Sequence, residues 1–252
     1  MATLESPEVL RAWIRQLAHW YEKSFFSAGK WYRGQGRALA RQLQAALSQW
    51  NQSQNVTPPD MAWAQQVLDS KLQPIPFRPC AVTPEQALHL LTHRQSCRMW
   101  TSESLSEANI QRLLEAGIAA PTSANRQSIR FFLVRSAEKK AAIGALVKHG
   151  FLAHAPLLVL LGVDSRSYHA HEHDRLVADA AVAAENMMLY ATAANLGSCL
   201  ITPHEIQEPA FKAAYGISPE IYMAMIVAVG YPRHAFTKPP RMTVQDHLIG
   251  SA

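Results

Sequence analysis

Two apolar runs constrain this chain more than any other feature: residues 157–163, Leu-Leu-Val-Leu-Leu-Gly-Val, and residues 221–229, Ile-Tyr-Met-Ala-Met-Ile-Val-Ala-Val. Both are too short to cross a bilayer as helices, and neither alternates apolar with polar side chains as a half-wet strand does. They read as strands buried on both faces, which calls for a layer of helix on each side of one sheet. Helical patterns stand where that layering needs them. Ser104 and Ser106 with Glu107 cap a helix carrying Ile110, Leu113, Leu114 and Ile118, which Pro121 ends. A long helix follows at 176–196, before Gly197. With shorter strands at 129–135 and 199–201, the expected fold is α/β, an α+β sandwich with a central mixed sheet flanked by helices.

The first 80 residues read differently. Ser6-Pro7-Glu8 is a helix start, and Leu10, Trp13, Ile14, Leu17, Trp20 and Tyr21 repeat at helical spacing after it. A second helix over 36–50 carries Leu39, Leu43, Leu47 and Trp50 on one face, and 61–72 reads as a third. Residues 51–60, polar, without period and holding Pro58-Pro59, read as a linker; Pro74, Pro76 and Pro79 force an extended crossing after it. The division expected is therefore a helical extension and linker over 1–80 and a main domain over 81–252.

Charge and cysteines limit the function classes. The net charge of +5 sits mainly in the extension, which holds 9 Lys/Arg against 5 Asp/Glu. Its cations are spread along helices as a solvated face. Lys30, Trp31, Tyr32 and Arg33 interleave cations with aromatics, a docking face more than a nucleic-acid surface, because no RNA or DNA motif accompanies them. Cys80, Cys97 and Cys199 form no C-x-x-C pair, there is no signal-peptide pattern, and no apolar run approaches 18 residues. A cytoplasmic protein without a membrane span is expected.

Chemistry concentrates after the helix that Thr83-Pro84-Glu85 caps. Its exit delivers Arg94-Gln95-Ser96-Cys97-Arg98, two guanidinium forks flanking a hydroxyl, which suits a phosphate better than ammonium groups would. Ala120-Pro121-Thr122-Ser123-Ala124-Asn125-Arg126-Gln127 follows the next helix, and Gly230-Tyr231-Pro232 follows the last apolar run with Arg241 beyond. In this order and spacing, the pieces resemble the FMN-dependent nitroreductase family over roughly residues 81–252.

That resemblance implies a homodimer with shared sites, bound FMN, and NADH or NADPH as co-substrate. It implies that Arg94, Gln95 and Ser96 hold the phosphate and ribityl chain, with Arg98 near the flavin pyrimidine edge and Arg241, assisted by Lys238, on the phosphate. Pro121, Thr122, Ser123, Asn125 and Gln127 would reach the flavin of the other subunit. The helix over 179–195 would be the central dimer helix, with Ala180, Ala181, Ala183 and Ala184 allowing close approach. Thr202 would present its backbone N–H to flavin N5, and His204 beside it is a candidate proton donor. The catalytic candidates are thus Thr202, Arg98 and His204, and no metal is expected.

Two positions depart from the family pattern: Ser128-Ile129 replaces Pro-Trp, and Pro203 stands where many relatives have glycine, removing one backbone donor. His169, His171 and His173 read as part of an exposed lid rather than a metal cluster, and Cys97 and Cys199 as small buried hydrophobes. The activity implied is hydride transfer from NAD(P)H to a nitroaromatic, a quinone or free flavin. The alternatives are a flavin oxidase or dehydrogenase acting on a biosynthetic intermediate, and a non-catalytic binding protein on the same fold.

Overall fold

The computed structural model describes residues 6–26, 35–69, 76–234 and 238–250. Its sheet comprises β1 (Ile129–Val134), β2 (Leu157–Asp164), β3 (Gly197–Ile201) and β4 (Ile221–Gly230), in spatial order β1-β2-β4-β3. The two apolar runs take the central places, and β2 is buried along its whole length. All three strand pairings are antiparallel; the parallel component of the sheet is one isolated bridge between Ser96 and Ser198.

Among the described residues the helices are α1 (Pro7–Phe26), α2 (Gly36–Ser53), α3 (Pro59–Leu68), α4 (Pro84–His93), α5 (Glu107–Ile118), α6 (Ala137–Leu146), α7 (His173–Ala193), α8 (Pro209–Ala214) and α9 (Val244–His247). Alternate residues of β2 feed the two layers. Leu157, Val159, Leu161 and Val163 pack with Ile110 and Leu113 of α5 and with Ala180, Ala183 and Met187 of α7. Leu158 and Leu160 meet Ile143 of α6 and Phe211 of α8 on the other face. The β2/β4 register slips between Leu161 and Gly162, leaving Ala224 without a partner, and Met223 and Met225 consequently enter opposite layers.

Helix α7 departs from expectation at both ends. It begins at His173, and it stops when Asn195 turns left-handed (φ 58°) so that Leu196 N–H bonds the Ala191 carbonyl at 2.7 Å. Asparagine thus fills the role expected of Gly197, which belongs to β3. Of the four small residues named above, Ala180, Ala183 and Ala184 are fully buried in the core against the sheet, and Ala181 is partly buried. Val182, 40% exposed, lies on the outward side.

The first three helices enclose a core of their own, formed by Leu10, Ile14, Leu17, Leu43, Leu47, Trp50, Met61 and Ala64. The stretch read as a linker is a bend inside this unit. Trp50 Nε1 donates to the Val56 carbonyl at 3.2 Å, and α3 folds back so that Asp60 accepts from Arg11 (2.8 and 2.6 Å) and from Arg15 Nη1 (2.8 Å). Ion pairs across the bend override the loop-like composition of 51–60. The cation-aromatic segment at Lys30–Arg33 and Pro74 lie outside the described residues.

Gly230 ends β4 where the backbone passes close to its neighbours. A Cβ there would lie 2.3 Å from Pro156 Cδ and 2.9 Å from Trp100 Cδ1, and neither ring can retreat. Gly230→Ala should therefore destabilise the protein by about 3 kcal/mol, the upper end of ordinary overpacking. Urea denaturation measures it, and an unchanged midpoint would show that the corner between Pro156 and Trp100 is loose.

Candidate active site

Helix α4 starts on a capping box, Thr83 accepting from Gln86 N–H while the Gln86 side chain accepts from Thr83 N–H, and it ends with Arg94 as its C-cap. The chain after it is pinned to the edge of β3: Cys97 N–H bonds the Ser198 carbonyl at 2.8 Å, and Trp100 Nε1 bonds the Gly197 carbonyl at 2.9 Å. This pinning directs Arg94, Gln95, Ser96 and Arg98 into a cavity of about 420 Å³, whose lining is completed by Lys238, Pro239 and Arg241 from the C-terminal segment. Lys238 Nζ donates to the Thr92 carbonyl, joining that segment to the end of α4. Arg94 Nε lies 3.8 Å from the Glu185 carboxylate, and the Arg98 guanidinium stands over the Phe151 ring at 5.8 Å.

Two guanidiniums, Arg94 and Arg241, with the Lys238 ammonium and the Ser96 hydroxyl form a donor set for a phosphate dianion, and a third guanidinium, Arg98, lines the same cavity. FMN carries one terminal phosphate, so the residues present fit it. No glycine turn of the kind that cradles a pyrophosphate accompanies them.

Residues 121–127 do not line this cavity within the single chain, nor do Thr202 and His204. The loop is held instead between α1 and α7. Ala124, Asn125 and Gln127 are all left-handed, with φ of 51°, 56° and 52°. Asparagine tolerates this conformation; Ala124 and Gln127 cost about 1 to 2 kcal/mol each. Asp179 anchors one end of the loop, accepting from Ser123 N–H at 2.9 Å, Ser123 Oγ at 2.8 Å and Tyr168 Oη at 2.5 Å. Thr122 Oγ1 accepts from Gln127 N–H at 3.0 Å, and Gln127 Nε2 donates to Asn125 Oδ1 at 2.9 Å. Ser128, at the position where the family carries proline, is buried, and its carbonyl accepts from Asp164 N–H at 3.0 Å, extending the β1/β2 ladder by one bond.

Within the loop lies Arg126, 1% exposed. Its Nη2 meets Glu172 at 2.9 Å, its Nε meets Gln16 Oε1 at 2.9 Å, and its guanidinium stacks on Tyr168 at 4.7 Å. Glu172 also takes Arg175 Nη1 at 2.5 Å and is 5% exposed; in the stretch 169–175, read as an exposed lid, His169, His171 and His173 are exposed and Glu172 alone turns inward. His169 and His171 stack on each other, and His173 packs against Tyr222. Among the described residues no group of three His, Cys, Asp or Glu is placed to hold a metal ion, and no helix is long and apolar enough to cross a membrane.

Thr202 and His204 are exposed, directly after β3, and Pro203 separates them. Cys97 and Cys199 are buried, and burial pushes both thiols up, so they are neutral at pH 7. Arg126, Glu172, Asp179 and Tyr168 hold the loop yet escape sequence reasoning. One signal was available: Asp179 is a lone acid beside Ala180-Ala181, and an acid among small helix residues facing a core needs donors supplied from elsewhere.

The family model for the nitroreductase family matches residues 91–151 and 143–231. The chain belongs to this family. A protein of Archaeoglobus fulgidus named as an NADH dehydrogenase/NAD(P)H nitroreductase is 27% identical over 152 residues, 59% of this chain and 87% of its own length. A crystal structure from Desulfovibrio desulfuricans, a nitroreductase by name in complex with FMN, superposes with TM-score 0.60 and 26% identity over 68% of this chain and 99% of that one. NfrA1 of B. megaterium shares the fold, with TM-score 0.60, 20% identity, and coverage of 66% of this chain and 74% of that one.

The loop's anchor is sensitive to acid. Burial alone would raise the Glu172 carboxyl, but the His169 N–H and Arg126 outweigh it and hold the group below the usual glutamate value. A depressed carboxyl contributes stability above its unfolded pKa of about 4.3, and that contribution is lost as pH falls through the folded value. Thermal melts should therefore show Glu172→Gln less stable than wild type near neutrality, with the gap closing below about pH 4. A gap independent of pH would mean that the charge on Glu172 is not what Arg126 requires.

Proposed function

We propose that the chain is an FMN-dependent NAD(P)H oxidoreductase that passes hydride to an electron-poor small molecule, a nitroaromatic, a quinone or free flavin. One observation carries this reading: Arg94, Ser96, Arg98, Lys238 and Arg241, drawn from opposite ends of the domain, surround one cavity. The names of the Archaeoglobus and Desulfovibrio relatives support both the nicotinamide donor and the flavin. The chemistry such a flavin supplies when bound is two-electron transfer at its N5.

The roles of this chain's residues follow. Arg94, Lys238 and Arg241 bind the phosphate, and Gln95 and Ser96 bond the ribityl chain beside it. Thr202 offers its backbone N–H to the ring, since Pro203 has none. His204 holds a proton for the acceptor. Pro121, Thr122, Ser123 and Asn125 serve a partner's cofactor, so each site is shared across a homodimer.

Helix α4 supports that dimer. No residue of it is buried, Leu88 and Leu91 are 62% and 51% exposed, and Met242, Val244 and Leu248 of the C-terminal segment are exposed too. An apolar surface of this kind beside a site fits a second copy of the chain. Two neutral buried thiols accord with a reducing cytoplasm.

The purified full-length protein should be yellow, sediment as a dimer, release FMN and not FAD on denaturation, and bleach with NADH or NADPH under anaerobic conditions. A colourless protein that refuses added FMN would overturn the reading. Colour without bleaching would leave a flavin-binding protein that does not use nicotinamide.

Arg98 carries a separate expectation. In the family its position lies near the pyrimidine edge, where negative charge gathers on reduction, and a fixed cation there favours the reduced form. A unit charge about 4 Å away is worth at most about 4 kcal/mol at an effective dielectric of 20, with about 1 to 3 remaining after screening. At about 30 mV for each 1.4 kcal/mol, Arg98→Met should lower the two-electron potential by roughly 20 to 65 mV. FMN should stay bound through Arg94 and Arg241. Anaerobic dye equilibration reads the shift, and an unchanged or higher potential would place Arg98 elsewhere.

A further inference from the structure

Helix α1 reaches the loop at 121–127 through two successive side chains. Arg15, 4% exposed, sets both Nε and Nη2 on the Arg126 carbonyl, Nε at 3.0 Å, while its Nη1 bonds Asp60 Oδ2 at 2.8 Å. Gln16, 2% exposed, turns Oε1 to Arg126 Nε at 2.9 Å. One loop residue is therefore gripped at its backbone and at its side chain by neighbours on one helix. An appended docking module would show such polar groups to solvent; here they are buried in the loop.

The gripped residue lies where the loop needs support. Asn125 and Gln127, on either side of Arg126, are both left-handed, as is Ala124. Non-glycine residues keep such conformations only where their surroundings over-determine them. Asp179 fixes the start of the loop at Ser123, and the bond from Gln127 N–H to Thr122 Oγ1 closes it on itself. Neither holds Arg126. Its carbonyl is held from α1, and α1 is in turn held by Asp60 of α3, which also pairs with Arg11.

We propose that the N-terminal three-helix unit is a brace for the flavin loop, with Arg15 and Gln16 acting as positioning residues that set Thr122 and Asn125 for FMN. The role of Thr122 and Asn125 rests on the flavin reading above, whereas the bracing of the loop rests on these contacts alone. Removing either grip loosens Arg126, which then keeps Glu172, Tyr168 and one contact from α1, and lets Asn125 and Gln127 relax toward right-handed backbone. Arg11 supplies the control, because it holds the same Asp60 and does not touch the loop.

The test compares full-length wild type with Arg15→Met, Gln16→Met and Arg11→Met by hydrogen exchange and by FMN titration. Peptides spanning 121–128 should exchange about ten-fold faster in Arg15→Met and Gln16→Met, and the Kd for FMN should rise about ten-fold, while β2 and β4 keep their protection. Arg11→Met should match wild type in both readouts. If all three variants behave alike at the loop and in FMN affinity, the brace is refuted and α1 is merely structural. Should Arg15→Met lose protection in β2 and β4 as well, Gln16→Met decides, since it leaves the Arg15–Asp60 pair intact. A wild-type protein that binds no FMN would sink the flavin reading, and loop exchange would still decide the brace.

Discussion

The buried guanidinium of Arg126 is the contact on which the site's geometry depends. A charge taken out of water is tolerated only when it is paired, and Arg126 draws on three separate parts of the chain: hydrogen bonds to Gln16 on α1 and Glu172 before α7, and the face of Tyr168, with Nη1 left without a partner. Those parts cannot move independently without stranding a charge. The same residue's carbonyl receives Arg15, so the N-terminal unit grips the main domain at the backbone as well as at the side chain of one loop residue.

That arrangement explains how a loop with several left-handed, non-glycine residues can be a fixed part of the molecule. Glycine would adopt the backbone at less strain but would not hold it, because it gives up more freedom on folding. Side chains here both carry the strain and make the bonds that hold it, Thr122 to Gln127 and Gln127 to Asn125. The cation cradle is built on a different principle. Its backbone is one short parallel contact against β3, and its cations project from that contact and from a C-terminal segment exposed along its length. The loop is fixed by buried polar contacts, and the cradle is a cluster of cations on an exposed surface.

Much of this was legible in the residue order. Two apolar runs place β2 and β4 at the sheet's centre, because only burial on both faces lets a strand dispense with alternation, and Arg94, Ser96 and Arg98 stand out as an anion cradle by residue type and spacing, with Arg241 joined to them by the family resemblance; all four line one cavity. The capping residues Thr83 and Ser106 mark their helix starts by local hydrogen bonding alone, which needs no tertiary information.

What local pattern could not convey is where long-range polar pairs close. Residues 51–60 have a linker's composition, yet Asp60 turns them into an internal bend because Arg11 and Arg15 stand opposite it. The histidine-bearing stretch has a lid's composition, yet Glu172 is buried because Arg126 is. Ala180, Ala183 and Ala184 of α7 have the small size of an interface, yet the chain's own core takes them. Hydrophobic periodicity and caps are properties of neighbours in sequence, so the chain alone determined its strands and helix starts and marked its cluster of cations. Pairing of a buried charge is a property of neighbours in space, so only the tertiary structure decided which acid meets which arginine, and with it the shape of the loop and the place of the first 80 residues.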